Sequence, residues 1–399
     1  MDWNFLIRNK DAINVTTDSR KVTPGCVFVA LKGEHFDGNA FVEQARETGA
    51  EYVIQGDHAV AELQDLARAW RRHWAAMPLA REGARRVVIG ITGTNGKTTT
   101  KELTACVLGT HYSVHYTQGN LNNSLGVPLT VLQLTREHEL AIVEMGASHP
   151  GDIRELVQVA EPDCGLITNV GRAHLQGFGS FEGVQATKKE LYDYLSEHHG
   201  FIFRNTDNAY LARMAGDLYT IPYTTGQMPE GTQLVGAYNA ENISAALAIG
   251  AYFGVSQEEG LAAVRAYCPT NHRSEACKTD RNSLIIDAYN ANPTSMQVAI
   301  EAFFRQKTEL PKAFILGGMR ELGDYEQLEH QNIVNMLLER RAESVWLVGD
   351  EYRRTTAPYP IFTDVEQLCS YLASHPIYGY HILVKGSRGN QLEKIIDSL

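Results

Sequence analysis

The stretch from Val87 to Lys101, Val-Val-Ile-Gly-Ile-Thr-Gly-Thr-Asn-Gly-Lys-Thr-Thr-Thr-Lys, constrains this chain more than any other. A β-branched apolar run feeds a glycine-rich turn, and Lys97-Thr98 then opens a helical pattern through Leu103, Val107 and Leu108. Strand, turn and helix in that order make a phosphate-binding loop. Gly93 and Gly96 let backbone N–H groups close around phosphate oxygens, and the helix N-terminus adds a favourable field. Lys97 can bridge the outer phosphates, and the Thr98 hydroxyl can ligate Mg²⁺. The full pattern asks for glycine at position 91, where isoleucine stands, so the shorter Gly-Thr-Asn-Gly-Lys-Thr remains. The bland alternative is a glycine-rich β-turn that holds nothing.

Length and composition bound the rest. A chain of 399 residues exceeds one ordinary core and predicts two or three domains. Apolar content of 44% with 21% charged residues is that of a soluble globular protein. No apolar run is long enough to span a bilayer, so membrane insertion is not expected. The first residues lack the basic-then-apolar pattern of a signal peptide. Six cysteines without CxxC spacing argue against zinc and against a disulfide framework, and fit a reducing cytoplasm. A net charge of −11 excludes nucleic acid as an expected partner. An anionic nucleotide must then be drawn in by local groups.

Along the chain, α/β patterns repeat. Residues 1–82 read as a small α/β unit, with strands at Val27–Leu31 and Tyr52–Ile54 and a helix near Phe41–Thr48. Thr17-Asp18-Ser19-Arg20 and the turn from Lys32 to Gly38 are either surface turns or binding loops. The segment Leu66–Met77 carries Trp70, Trp74, Arg68, Arg71 and Arg72, and reads as a helix packing its tryptophans, not as a nucleic-acid patch. Pro78–Arg86 reads as a linker. In the unit 83–275, the run Leu140–Val143 delivers Glu144, and Gly165–Val170 delivers His174 just beyond it. Ligands of an open parallel sheet sit outside the carboxyl ends of its strands, so Lys97, Thr98, Glu144 and His174 should share one crevice. Glu144 would be a hard oxygen ligand for Mg²⁺ or a structural strand-end acid. His174 is a second ligand or a structural histidine. Asn120, Asn122 and Asn123 form an Asx-rich turn or a set of amides for an oxygen-rich substrate. Lys188 and Lys189 lie in a helical pattern from Phe181 to Leu195, where the plain reading is solvated charge. The stretch Leu234–Asn242 leads into an alanine-rich helix to about Tyr252. Thr220–Thr232 reads as loop. In the unit 276–399, four runs (Ser283–Ile286, Ala313–Leu316, Val345–Val348, His381–Val384) alternate with helical stretches, which predicts a doubly wound, Rossmann-like sheet.

Together these residues resemble the Mur ligases, ATP-dependent amide-bond-forming enzymes of bacterial cell-wall precursor synthesis, nearly end to end. Gly93, Thr94, Asn95, Gly96, Lys97, Thr98 and Thr99 are similar to the family's ATP loop. Asn242 resembles its adenine-contacting asparagine, His272-Arg273 its interdomain arginine that reaches a phosphate, and Asp287 its ribose-binding aspartate. Glu144 and His174, with Thr98, match the family's Mg²⁺ ligands. The resemblance implies ATP, one or two Mg²⁺ ions, and at Lys188 a lysine carbamylated by CO₂ that supports the second ion. It makes Lys97, Lys188, His174 and Arg273 the expected catalytic set.

Within the family, the stretches Gly119–Asn123, Glu144–Gly151 and Tyr289–Pro293 are most similar to the members that add D-alanyl-D-alanine to a UDP-N-acetylmuramoyl-tripeptide. No Asp-Asn-Pro-Arg stretch of the tripeptide-forming relative is present. The resemblance implies that 1–82 binds the UDP substrate, with Ser19 and Arg20 part of the uridine-nucleotide site. It makes 83–275 the ATP-binding P-loop domain and 276–399 the acceptor and nucleotide domain. Asn120, Asn122, Asn123, Asn290 and Asn292 are implied substrate contacts, and Lys385, Ser387 and Arg388 would lie near the incoming dipeptide. A cytoplasmic monomer is expected. Two residues depart from the family pattern: Tyr238 stands in place of a histidine and Gly318 in place of an aspartate. The stretch between Asn208 and Gly236 is also short. The alternatives are another Mur-type or folylpolyglutamate synthase-like ligase, and a regulatory ATP-binding protein without catalysis.

Overall fold

The structure, a computed structural model, describes residues 2–33, 36–79, 84–269 and 273–399. Three sheets follow one another along the chain. The first holds Val15–Thr16 (β1), Val27–Val29 (β2) and Tyr52–Ile54 (β3), in that order and all parallel. The central sheet holds Val87–Thr92 (β4), Val114–Tyr116 (β5), Leu140–Glu144 (β6), Cys164–Ile167 (β7), Phe201–Asn205 (β8) and Thr220–Tyr223 (β9). Its spatial order is β5-β6-β4-β7-β8-β9, again all parallel. The third sheet holds Glu275–Lys278 (β10), Ser283–Asp287 (β11), Lys312–Gly317 (β12), Ser344–Val348 (β13), Ile361–Phe362 (β14) and His381–Lys385 (β15). Its order is β10-β11-β15-β12-β13-β14, and only β10 runs antiparallel.

The strand sequences follow from burial on both faces. Val88 joins one apolar cluster with Ala141, Val143 and Ile167, while its neighbours Val87, Ile89 and Ile91 join another with Ile142 and Leu166. Such a strand has no solvent face and therefore no polar alternation. In the third sheet Leu284 and Ile286 face one cluster and Ile285 the opposite one. In the central sheet Ile91 pairs with Glu144 and Thr92 with Ile167. That register brings the ends of β4, β6 and β7 together.

The helix Ala59–Ala76 buries Trp70 and Trp74 completely, and its apolar face belongs to the same core as Val88 and Val143. The indole N–H groups donate to Leu134 O and Thr135 O, both at 3.0 Å. Arg68, Arg71 and Arg72 pair with Asp65, Asp163 and Glu161, so they form no basic patch.

Three readings of the sequence need correction. Thr220–Tyr223 is a strand, not loop. Its Pro222 is tolerated because β9 is an edge paired only with β8. The third sheet has six strands where four apolar runs were visible, because β10 and β14 are edge strands, one polar and one of two residues. Arg86 is not exposed linker but 3% exposed, donating to the carbonyls of Met77 and Arg136; Ala80 to Gly83 of that segment, like Glu34 and His35 of the Lys32–Gly38 turn, lie outside the described residues. Among the described residues no helix is long and apolar enough to cross a membrane, and all six cysteines are free.

Candidate active site

The loop after β4 is set by its glycines. Gly93 (φ 142°) and Gly96 (φ 79°) hold backbone conformations that L side chains rarely adopt. A Cβ on Gly96 would also stand 2.3 Å from Asn242 Oδ1, and one on Gly93 2.0 Å from Thr168 Oγ1. The segment after β7 ties the loop in place. Thr94 N donates to Asn169 O (2.9 Å), Asn95 N to Asn169 Oδ1 (3.0 Å) and Thr168 Oγ1 to Asn95 O (2.6 Å). Lys97 Nζ donates to Gly93 O and Thr94 O at 2.8 and 3.1 Å. Burial lowers the pKa of Lys97, against the pull of Glu144.

Glu144 stands at the floor, 1% exposed. Its Oε1 accepts from Thr98 Oγ1 (3.2 Å) and Asn122 Nδ2 (2.8 Å), whereas Oε2 is buried without a hydrogen bond. Lys101, itself fully buried, brings Nζ to 3.8 Å from that oxygen. Lys101 escaped the sequence reading because a lysine after three threonines looks solvated. The available signal was its position four residues beyond Lys97, on the same helix face. An orphaned carboxylate oxygen beside a threonine hydroxyl suits a hard cation such as Mg²⁺. Among the described residues no three His, Cys, Asp or Glu side chains converge, so these side chains alone do not form a full metal cage.

His174 has a left-handed backbone (φ 50°), and its Nδ1 pairs with Glu321 from the third unit. Burial lowers its pKa, opposed by the bond to Glu321. Lys188 is 2% exposed, with Nζ 5.5 Å over the Phe178 ring. Burial, helped by Lys97, holds its pKa well below the ordinary range. Lys189 instead points outward and pairs with Asp193. The solvated reading therefore fits Lys189 and not Lys188.

The third sheet completes a cleft of about 850 Å³ whose wall includes Thr99, Asn120, Asn123, Asn242, Asp287, Asn290 and Lys385. Asn242 is held by Thr100 and Asn239. Asp287 and Lys385, on neighbouring strands, form an ion pair at 2.6 Å. Arg273 stacks its guanidinium 3.8 Å over the Tyr289 ring, and its buried Nε has no hydrogen bond; His272 lies outside the described residues. Tyr238 donates to or accepts from Ser274 Oγ at 2.5 Å.

Other expected residues lie elsewhere. Asn292 caps the helix Pro293–Arg305 and donates to Asn95 Oδ1 at 2.8 Å, a bridge between units and not part of the cleft wall. Ser387 is buried against Gly318 O and Asn390, and Arg388 lies 5.3 Å over the Tyr289 ring. Ser19 and Arg20 sit on a turn of the first unit, outside the cleft, where Arg20 grips Asp18 and lowers its pKa to about 2.

A phosphate loop on one parallel sheet, closed over by a second sheet that supplies charged groups to the same cleft, defines a P-loop enzyme assembled between domains. The known proteins give that class a family. Models of the Mur ligase family catalytic domain, the Mur ligase middle domain and the Mur ligase glutamate ligase domain match residues 13–77, 91–229 and 272–388. The chain belongs to the Mur ligase family. It is 36% identical to the UDP-N-acetylmuramoyl-tripeptide--D-alanyl-D-alanine ligase of Bacillus subtilis, over 96% of this chain and 92% of that one. MurF from Acinetobacter baumannii superposes with a TM-score of 0.85 at 28% identity, covering 97% of this chain and 93% of the other. The MurF ligase of Thermotoga maritima, solved in complex with ADP, gives 0.84 at 25% identity, with 98% of each chain covered.

Proposed function

We infer that this protein is an ATP-dependent ligase that joins D-alanyl-D-alanine to UDP-N-acetylmuramoyl-tripeptide in peptidoglycan precursor synthesis. Similarity to ligases of that name along nearly the whole chain carries the reading. The cleft supplies what the chemistry asks for. A carboxylate is a poor electrophile, so its oxygen first takes the γ-phosphoryl group of ATP. The dipeptide amine then attacks the acyl phosphate, loses a proton, and phosphate leaves. Phosphoryl transfer needs positioning and charge neutralisation more than covalent help from the protein.

In this reading Lys97 leaves the loop carbonyls to meet the outer phosphates, and Arg273 reaches them from the hinge between units. Asn242 holds the adenine, and Asp287 the ribose. Thr98, Glu144 and His174 would hold Mg²⁺, which when bound neutralises phosphate charge. Asn120, Asn122, Asn123 and Asn290 face the substrates, with Lys385 nearby. CO₂ adds only to a neutral amine, and the low pKa of Lys188 supports that state. Its nitrogen would form a bond to carbon and release a proton, leaving a carbamate whose negative charge suits a second ion. The division into a UDP-substrate unit (1–82), an ATP unit (83–275) and an acceptor unit (276–399) is part of this proposal, with Ser19 and Arg20 on the first. All these groups come from one chain, so a monomer suffices. A cytoplasmic location follows from the substrates.

The test is phosphate release. It should require ATP, the UDP-muramoyl-tripeptide and D-alanyl-D-alanine together. Release with single amino acids in preference to the dipeptide would overturn the subtype, and release with ATP alone the ligase reading. Lys188→Ala should lose most activity and regain part of it with a short carboxylic acid in the buffer, whereas Lys189→Ala should do little. Normal activity of both variants would remove the carbamate.

A further inference from the structure

Two guanidinium groups lie over one phenol ring. Arg273, in the segment entering β10, stacks 3.8 Å from the centroid of Tyr289, and Arg388, just past β15, lies 5.3 Å from it. Tyr289 itself follows β11, half-buried, and with Arg273 it forms part of the cleft wall. Three separate chain segments thus meet at one aromatic ring. A long cationic side chain in a cleft wall has many rotamers, and ordering it costs conformational entropy. The orphaned Arg273 Nε shows that hydrogen bonds do not fix that nitrogen. The ring does so instead: its electron-rich face attracts a cation, and a planar guanidinium can stack on it while its N–H edge stays free for an anion. The electron-rich ring that both approach offsets part of the repulsion between the two arginines.

We propose that Tyr289 is the positioning residue of the cleft, a shared seat that orients Arg273 towards the nucleotide phosphates and Arg388 towards the acceptor side. This rests on the reading of Arg273 and Arg388 given above. It assigns the work to the ring, not to the hydroxyl.

The experiment measures ADP–Mg²⁺ binding by titration calorimetry, without turnover, and the Michaelis constants separately. Tyr289→Leu should weaken ADP binding roughly ten-fold and raise KM for both ATP and the dipeptide more than it lowers kcat. Tyr289→Phe should restore what Tyr289→Leu loses. The loss in the Arg273→Ala, Tyr289→Leu double variant should equal that of Arg273→Ala alone, since the ring acts through that side chain. Should Tyr289→Leu fold poorly, Tyr289→Asn, suited to a half-exposed loop, is read in the same assay. Wild-type ADP affinity in Tyr289→Leu, a Tyr289→Phe variant as weak as Tyr289→Leu, or fully additive losses would each overturn the proposal. An unchanged dipeptide KM would overturn the shared seat. If Arg273→Ala itself leaves ADP affinity unchanged, the assignment of Arg273 to the nucleotide falls first and this inference with it.

Discussion

The central sheet is joined to its two neighbours in opposite ways. Towards the first unit the seam is apolar: Leu63, Leu66, Trp70 and Trp74 share one continuous core with Val88, Val131 and Val143. Towards the third unit the seam is mostly polar, with Val235 and Tyr238 packed against that unit's apolar core. Asn292 bridges to Asn95 at 2.8 Å, Arg172 N donates to Thr294 Oγ1 at 2.9 Å, and the Arg172 side chain pairs with the buried Glu329 at 2.9 Å. Gln176 N adds a bond to Glu321 O. Apolar contact gains in proportion to area and has no replacement in water. Hydrogen bonds are exchanged for water at a net cost of only about 1 kcal/mol each. The first seam is therefore welded, and the second can open and close on the substrates.

The largest effect should come from what the polar seam closes over. Lys97→Ala should cut ligase turnover by roughly 10³-fold or more while its thermal unfolding matches wild type. Near-normal turnover in a folded variant would remove the loop from the chemistry. Next, Trp70→Ala should cost about 3–5 kcal/mol, read by denaturant titration as loss of one transition shared by the first two units. An unchanged midpoint would mean that the seam is not welded.

Arg172→Ala probes the other seam. It should leave unfolding nearly unchanged, enlarge the radius of gyration in small-angle scattering, and raise the KM values by up to about ten-fold, the worth of one charge-assisted hydrogen bond. Equal scattering profiles would place the hold on the third unit elsewhere. The smallest effect is one of pH. His115 and His138 stand with rings 5.0 Å apart beside Thr135, the acceptor of Trp74, and burial lowers both pKa values, that of His115 to about 4. Between about pH 6.5 and 4 the unfolded chain binds a proton that folded His115 refuses, and His138 acts in the same direction. Stability should therefore fall as pH drops through this window, by at most about 1.4 kcal/mol per unit for each proton. His115→Asn should flatten that slope; an equally steep profile would clear the pair.

The features legible in the sequence are those where backbone chemistry leaves few choices. Gly93 and Gly96 could be read because both the turn and the close approach of Thr168 and Asn242 demand glycine. Runs such as Val87–Thr92 could be read because strands buried on both faces are apolar throughout. β10 and β14 could not, since an edge strand needs neither apolar alternation nor length. The Asn290–Pro293 stretch mixes roles that composition cannot separate: Asn290 faces the cleft while Asn292 spends its amide on a helix cap and an interdomain bond. Lys101 was not legible, and Lys188 only through the family resemblance, for a shared reason. A lysine in a helical pattern is ordinarily solvated, and only the packing of several elements buries one.

One feature of the third sheet bears on how the protein is made. β15 lies between β11 and β12, although it is synthesised after β10 to β14. Until it arrives, a growing chain can hold two partial sheets with bare edges on β11 and β12, each a template for pairing with another chain. Parallel pairing across such sequence distances is also slow, because loop-closure entropy must be lost before the contacts form. β15 brings Lys385 to Asp287. The wall of the cleft is thus completed by the strand that ends the vulnerable interval, and nascent chains halted before His381 should be the form that chaperones hold.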